Sequence, residues 1–485
     1  MEQSVRAKKG SDELEIKKDL WGNPVRTSSD LCLSHINSYY EQVLVYGPHR
    51  GVILRAVEAD STCVLSNALA ATQMLSIDNV EKQQDRAASF VAAAKQHSVN
   101  AATAYESLIL DAVTALTEGR MKDAVALHVE VLNRFPNDIV SLKRAQTLCF
   151  YMGRPDQMLK IALQVLPANR DTAYMHGLLA FSLLEVGRYD EAETAARRAL
   201  TIENQDIWAQ HALCHVLQYK CQFKEAIWFM AENCSSWSIC GSFMYSHNWW
   251  HLAVCLLEQG CSSASKMVIQ IYDTHIWYRF MKGIKVSPQV FINALGLLLR
   301  LNLHGFSMCL ESRLADLARR LTDESTWHRE WLLDLLAIWA LSQSSCLGKA
   351  NALLKSLNCR VDALEASQEV LNSILLLAEA LYEYGMENYK AVCDLLGPSF
   401  NVSQLKMIGA SAEQLDVFDE LWCISSLHAG YNVQAIQIAN HRVKERSGVP
   451  FIWRILEEAY KREGKAVDAQ HAAEKAQWLE AFSET

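Results

Sequence analysis

Small residues recur in this chain at intervals of 34 positions, and this period limits the fold more than any other feature of the sequence. The first series consists of Gly119, Gly153, Gly187 and Cys221. A fixed period of this length indicates one structural unit repeated along the chain. Each unit is long enough for two short helices joined by a tight turn, and the small residue stands at that turn.

Packing positions in the same frame support repeated helix pairs. Five residues after the turn, where the two helices of a unit touch, a small side chain is expected, and Ala124, Ala192 and Ala226 stand there. The spacing returns near the end of the chain between Gly430 and Gly464. This is the period of the tetratricopeptide repeat, a pair of antiparallel helices. We therefore predict an all-α fold, a right-handed α-solenoid of tetratricopeptide-like repeats.

The repeat frame predicts five segments. They are a mobile N-terminal arm (1–28), N-terminal helices (29–104), tetratricopeptide-like repeats with a histidine-rich groove (105–280), divergent helical repeats (281–410) and C-terminal tetratricopeptide-like repeats (411–485). Because the period is lost in 281–410, that segment is open to a second interpretation, a separate packing. The insertion at 235–242 is predicted to be a surface loop, since insertions at the edge of a repeat array usually are.

The composition of the chain indicates what kind of partner it binds and in which cellular compartment it works. A net charge of -9 gives no electrostatic footprint for nucleic acid, so we expect a protein or peptide partner and no nucleic acid. The first 19 residues mix both charges without an apolar core, and the longest apolar runs are interrupted, so we expect neither a signal peptide nor a membrane anchor. The 14 cysteines include no CxxC pair and are expected to be reduced thiols in a cytoplasmic protein.

Histidines form the one group of residues in the sequence whose spacing suggests a metal-binding or catalytic site. Four of the 15 stand in two pairs of i, i+4 spacing, His211 with His215 and His247 with His251. This spacing puts each pair on one face of a helix, an arrangement that lets two imidazoles grip one divalent ion. The repeat frame turns all four toward the concave groove of the array. We expect the two pairs to lie close together there.

Five further residues complete the predicted binding site: Gln218, Asn248, Trp250, Asp273 and His275. The two amides stand near the histidines along the same helices, and the tryptophan supplies packing. Asp273 and His275 end the second helix of the following unit. Because that helix runs back toward the start of its partner, both are expected at the same rim.

The histidine cluster has two interpretations. A hydrogen-bonded polar cluster that stabilises the groove or contacts a peptide is the one we favour. The alternative is a site for zinc, iron or manganese, because neutral imidazoles with a carboxylate bind such ions and serve as acid and base near pH 7. The sequence has no HExxH, Walker, GxGxxG or GxSxG motif. We assign no cofactor and no catalytic residue, and a divalent metal stays the alternative.

Several short segments carry a family resemblance. They are WG at 21–22, TSS at 27–29, FP at 135–136, LKRAQTLCFYMG at 142–153, DIWA at 206–209, HALCHV at 211–216, HNWWH at 247–251 and YDTH at 272–275. In these segments the chain resembles the tetratricopeptide repeat protein 38 family, over nearly its whole length. The resemblance implies an all-helical repeat fold, with the histidine segments among the most recognisable pieces of the family. It implies no substrate.

The chain departs from this family at three places. Gln218 stands where members often have a glutamate, Asn67 replaces a histidine, and the apolar run at 331–335 replaces an Asp-x-His segment. If the family site is catalytic, these changes imply that this member has lost activity. If it is a binding groove, replacing these side chains by amides is expected to affect its function less.

Together these patterns predict a noncatalytic helical-repeat scaffold that binds a protein or peptide partner in its concave groove. The alternative is a metal-assisted, hydrolase-like enzyme. In that case the four paired histidines would be the metal ligands, and Asp273 would orient them or act as a base.

Overall fold

The fold is described by a computed structural model over residues 15–75, 80–99, 102–277, 286–306, 310–361 and 368–484. Helices dominate these residues. The strands among them, Ile16–Lys18 (β1) and Pro24–Arg26 (β2), pair antiparallel. The chain divides into two compact units, Met1–Ala145 and Gln146–Thr485.

Capping side chains set the beginnings of helices in the first unit. Its helices are α1 (Asp30–Leu44), α2 (Val52–Ala59), α3 (Val64–Leu75), α4 (Val80–Ser98), α5 (Ala104–Thr117) and α6 (Met121–Arg134), and α7 (Ile139–Tyr151) crosses into the second unit. Ser29 accepts a hydrogen bond from the backbone of Cys32 before α1. Thr103 and Glu106 form a reciprocal capping box at α5. Such caps satisfy backbone N–H groups that a helix leaves unpaired at its start.

Residues 15–28 form a packed hairpin and not the mobile arm that we predicted. Val25 is fully buried, and the Thr27 hydroxyl donates a hydrogen bond to Asp60 at 2.6 Å. The carboxylate of Asp19 accepts from the backbone of Asn23 and closes the turn. These polar anchors hold a segment whose alternating charges gave no sign of packing. Residues 1–14 of the predicted arm lie outside the described residues.

The second unit continues the helix pairs. Its helices are α8 (Pro155–Val165), α9 (Met175–Glu185), α10 (Tyr189–Ile202), α11 (Ile207–Tyr219), α12 (Phe223–Asn233), α13 (Ser242–Gln259), α14 (Ala264–Ile271), α15 (Pro288–Leu303), α16 (Glu311–Leu321), α17 (Trp331–Gln343), α18 (Leu347–Val361), α19 (Gln368–Gly385), α20 (Tyr389–Leu396), α21 (Ala412–His428), α22 (Asn432–Glu445), α23 (Pro450–Arg462) and α24 (Ala466–Glu484). Between them lie 3-10 segments at Cys234–Ile239 and Val402–Ile408 and a π-helical turn at Tyr272–Ile276. The predicted all-α helical-repeat fold is confirmed.

The turns of the 34-residue frame share one backbone conformation. Gly119, Gly153 and Gly187 have φ of 76°, 62° and 78°, in the left-handed region that glycine adopts without steric cost. Cys221, at the next interval, has φ of 57° although it carries a Cβ. The period therefore marks a backbone requirement of the turn between the two helices of each unit.

The insertion at 235–242 lies at the surface, where Ser235, Ser238 and Ile239 are exposed, but it is not an irregular loop. Most of it belongs to the 3-10 segment Cys234–Ile239, in which Trp237 is fully buried. The indole of Trp237 donates a hydrogen bond of 2.9 Å to the side-chain oxygen of Gln210 on α11. Burial of this large aromatic side chain with a satisfied N–H fixes the segment against α11.

His128 gives the first unit a predictable sensitivity to acid. Burial, aided by the charge of Arg144, lowers the pKa of His128 to about 3 from 6.5. Because the unfolded chain then takes up the proton first, this contribution to stability is complete above pH 6.5 and is lost as the pH falls toward 3. Between these two pKa values, one such histidine lowers the free energy of unfolding by about 1.4 kcal/mol for each pH unit of acidification. We expect His128→Phe to remove this contribution, so that the free energy of unfolding falls less steeply with falling pH. Urea unfolding at pH 7, 6 and 5 measures it.

The exposed His49 offers the matched control for this prediction. His49→Phe should leave the slope of stability against pH as it is in the parent protein. Equal slopes for His128→Phe and the parent would contradict the assignment.

Candidate functional site

The structure brings the four paired histidines together. His211 and His215 lie on α11, and His247 and His251 lie on α13. Within each pair the Nε2 atoms face each other, at 2.9 Å on α11 and 3.3 Å on α13. One ring nitrogen from each of the four lies within 4.8 Å of the other three. We call this group the histidine cluster.

The histidine cluster is inside the protein, where burial favours the neutral form of His211, His247 and His251. All four side chains are at most 5% exposed. Burial is the largest cause that lowers the pKa of His247, to about 4, and it also lowers the pKa values of His211 and His251 well below 6.5, with neighbouring histidines contributing. A neutral imidazole keeps one nitrogen lone pair for a hydrogen bond or a metal ion.

Two residues on later helices contact the outer nitrogens of the histidine cluster. Glu413, in the first turn of α21, places Oε2 2.7 Å from Nδ1 of His215. Asn293 on α15 places Oδ1 2.9 Å from Nδ1 of His247. Its amide nitrogen donates to the Ser246 hydroxyl at 3.0 Å. Neither residue was predicted from the sequence, although an asparagine within the apolar run of α15 was a usable signal.

Glu413 is held as a carboxylate against the histidine cluster. Burial disfavours its charged form, but attraction to His215 and the hydrogen bond with it outweigh burial and lower the pKa of Glu413 to about 2. Arg300 donates a hydrogen bond to the backbone carbonyl of Glu413. The carboxylate is therefore fixed both by its charge and by its backbone.

Three other predicted site residues take distinct positions beside the histidine cluster. Trp250 stacks on His247, with ring centroids 5.5 Å apart. Gln218 donates to the carboxylate of Glu258 at 2.9 Å. Asn248 is fully buried, and neither atom of its amide has a hydrogen-bond partner among the described residues.

Asp273 and His275 have partners outside the histidine cluster. Both lie in the π-helical turn after α14. The Asp273 carboxylate forms a two-point ion pair with Arg313, at 2.8 and 2.6 Å. His275 stacks on Trp249 at 3.7 Å, and its Nδ1 lies 2.8 Å from the Tyr245 hydroxyl. The carboxylate beside the histidines is Glu413 and not Asp273.

The inner face of α11 and α13 is covered by the C-terminal helices of the same chain. Besides the contact of Glu413 with His215, Arg446 at the end of α22 forms a buried two-point ion pair with Glu258 on α13, at 2.9 and 2.7 Å. The histidines therefore do not line an open groove, as the repeat frame led us to expect. Repeat period shows which face is concave, but it does not show what the rest of the chain places there.

An open cleft lies beside this covered face. Two adjoining cavities of about 410 and 260 Å³ share Gly187, Tyr189 and Tyr219, and the two tyrosine rings stack at 3.9 Å. We call this pair of cavities the tyrosine cleft. The smaller cavity is also lined by Lys406 and by Glu413, the residue whose carboxylate contacts the histidine cluster.

The inner end of the tyrosine cleft carries a carboxyl group that titrates near neutrality. Burial raises the pKa of Glu185 to about 7, while Lys406 lowers it and Glu413 raises it further. The Lys406 ammonium lies 3.7 Å from the Glu185 carboxylate and donates to the Glu185 carbonyl at 3.1 Å. The cleft can therefore offer a ligand both a cation and a carboxyl group.

These features define the class of the protein, an all-α helical-repeat protein of the tetratricopeptide-like kind. No protein-family profile matches the chain. Among the described residues, no helix combines the length and apolar character that crossing a membrane requires.

The chain is distantly similar to several solved structures. A human IFIT1 dimer with PPP-AAAA is 12% identical, with 96% of each chain covered and a TM-score of 0.42. The tetratricopeptide repeat domain of P58(IPK) is 16% identical to this chain, with a TM-score of 0.21. The alignment covers 79% of this chain and 98% of that domain. No conclusion about activity or partner follows from likeness at this level. The predicted absence of a nucleic-acid partner gains no support from these structures and stays a prediction.

Proposed function

We propose that this chain is a helical-repeat scaffold that binds a protein or peptide partner, and that the partner binds in the tyrosine cleft. One observation carries the proposal. The concave face near the histidine cluster is covered by the protein's own helices, whereas the tyrosine cleft beside it is open. The partner surface is therefore shifted from the predicted histidines to the turns of the neighbouring repeats.

The walls of the tyrosine cleft suit a peptide with side chains of both charges. Arg188 and Lys220 contribute cations, and Asp190 and Glu445 contribute carboxylates. Lys220 pairs with Asp190 at 2.5 Å, and Arg188 pairs with Glu191 at 2.5 Å, so a charged peptide would exchange partners with these ion pairs. Tyr189 adds aromatic surface, which provides much of the binding energy at protein interfaces. Cavities of a few hundred Å³ are the size of known ligand sites. A short segment of a partner chain fits this combination of size and charge.

The tyrosines test the proposal. With a photo-crosslinking residue in place of Lys220, we expect a distinct partner to be captured in cells and identified by mass spectrometry. Because aromatic anchors are often worth about 2 kcal/mol each at interfaces, the Tyr189→Ala, Tyr219→Ala double variant should bind that partner at least about tenfold more weakly. Isothermal titration with the purified partner measures the affinity.

Tyr431, the residue that precedes α22, offers a matched control. It is exposed, and it lies roughly 20 Å along the helix from Glu445 at the edge of the tyrosine cleft. Tyr431→Ala should bind the partner as the parent does, and thermal unfolding should show that both variants fold. Unchanged affinity in the double variant would sink the assignment of the cleft.

We also propose that the chain belongs to the tetratricopeptide repeat protein 38 family and works in the cytoplasm. The segments that resemble that family include both histidine motifs, and both now lie in one cluster. A structure of an established family member tests the first part, because its matching histidines should meet as they do here. Imaging of the tagged full chain in cells tests the second.

A metal-assisted hydrolase is the second candidate. The observation in its favour is that Glu413 both contacts His215 and lines the tyrosine cleft. This function requires turnover of an ester or amide substrate that a chelator abolishes and zinc restores. The absence of turnover by metal-loaded protein would remove it.

A further inference from the structure

We propose that the histidine cluster is a structural zinc site, in which His211, His215, His247 and His251 each give one ring nitrogen to a single Zn²⁺ ion. This site goes beyond the scaffold function, because its role is to fasten α11 to α13. Partner binding at the tyrosine cleft does not require the ion, and the two proposals have separate tests.

The spacing of the donors fits a tetrahedral ion. Zinc binds imidazole nitrogen at 2.0–2.1 Å, which places any two nitrogens of a tetrahedral site about 3.3 Å apart. The Nε2 atoms are separated by 2.9 Å in one pair and 3.3 Å in the other. The largest separation within the set of four is 4.8 Å, so small rotations of buried rings complete the geometry.

The neighbours of the histidine cluster orient two rings for metal binding. The Glu413 carboxylate and the Asn293 carbonyl oxygen can only accept hydrogen bonds, so Nδ1 of His215 and Nδ1 of His247 carry the protons. Nε2 of each ring then presents its lone pair to the cluster. A ring N–H held by a carboxylate or carbonyl oxygen is the usual arrangement behind a metal-bound histidine.

Hydrogen bonding alone leaves polar atoms in the histidine cluster without partners. His211 and His251 could each donate to the other ring of their pair, but their Nδ1 atoms have no partner among the described residues. The amide of Asn248, on the same helix as His247, is also unpaired. A cluster without metal is the competing arrangement, and it predicts that no ion is bound.

Four protein ligands indicate a structural ion and not a catalytic one. Catalytic zinc sites keep a position open for water or substrate, whereas structural sites use four protein ligands. This set has four histidines and is buried to at least 95%. Through Glu413 the ion would also hold α21 in place, and Glu413 is at the same time a wall residue of the smaller cavity of the tyrosine cleft.

Elemental analysis of full-length protein, purified without a histidine tag, tests the proposal. We expect about one zinc per chain, removal by a strong chelator, and uptake of one equivalent when Zn²⁺ is returned to the apoprotein. The melting temperature should fall on removal and recover on return. With Co²⁺ as the probe, the visible spectrum should be that of a tetrahedral site.

Three variants assign the ion to these residues. His211→Phe with His247→Phe should abolish zinc binding, whereas His128→Phe, which replaces an equally buried histidine outside the histidine cluster, should retain it. Glu413→Gln should keep the stoichiometry and weaken affinity about 10–100-fold, the usual effect of losing such a supporting group.

Two outcomes overturn the site. One is that the apoprotein binds none of Zn²⁺, Co²⁺ and Ni²⁺ and that its melting temperature does not change when they are added. This measurement uses the parent protein, so it does not depend on whether a variant folds. The other is equal zinc in the parent and the double phenylalanine variant. Neither outcome bears on partner binding at the tyrosine cleft, which the tyrosine variants decide.

Discussion

Replacing Arg446 by methionine is expected to lower the free energy of unfolding by about 3–5 kcal/mol, because it strands a buried charge. The guanidinium forms two short hydrogen bonds with Glu258, and both side chains are under 10% exposed. Asp416 adds a second carboxylate at 3.4 Å. Without Arg446, Glu258 is left buried with only Gln218 as a hydrogen-bond donor among the described residues.

The double variant Glu258→Met, Arg446→Met should recover much of this loss, since a buried ion pair replaced by apolar side chains of similar volume is often close to neutral. Arg454→Met, which removes a more exposed ion pair with Glu480, should cost under about 1 kcal/mol. Guanidinium unfolding followed by circular dichroism measures all three. If Arg446→Met were as stable as Arg454→Met, the ion pair of Arg446 with Glu258 would not be what holds α22 against α13.

Substituting alanine for Gly409 is expected to destabilise the second unit by about 2–5 kcal/mol. Gly409 ends the 3-10 segment Val402–Ile408 with φ of 73°, and a Cβ there would lie 2.5 Å from the ring of Tyr151. The left-handed conformation costs alanine about 1–2 kcal/mol. Forcing a ring to move in a packed contact adds about 1–3 kcal/mol.

Gly464 separates these two causes. Its φ is 70°, and no described atom lies within 4 Å of the place that a Cβ would take, so Gly464→Ala should show the conformational cost alone. The difference between the two variants then reports the contact with Tyr151. Chemical unfolding measured on both proteins at one pH provides the comparison, and equal losses would mean that Tyr151 yields freely.

The helix pairs were predictable because their cause is local. A turn between two helices needs a left-handed residue, and the glycines at 34-residue spacing reveal it. Cys221 shows that the frame continues where the residue type changes. The packing of residues 15–28 was missed because it depends on distant partners, as in the hydrogen bond of Thr27 to Asp60.

The histidine cluster, too, was predictable only as far as local rules reach. The i, i+4 spacing and the repeat frame are local rules, and they were enough to draw attention to all four histidines. Glu413 lies 198 positions beyond His215, and no periodicity connects the two. Asp273 was expected at the same rim because its helix runs back toward the start of its partner, but it is bound to Arg313. Burial of the whole group depended on helices that the period did not position.

The covering of α11 and α13 by α21 and the end of α22 has a consequence for synthesis of the protein. A chain grows from its N-terminal end, and its earlier parts begin to fold first. The histidines and Glu258 are complete well before Glu413 and Arg446 leave the ribosome. Until then their face is open to solvent, to metal ions and to chaperones. A product that stops before α21 would display permanently the surface that the finished protein hides.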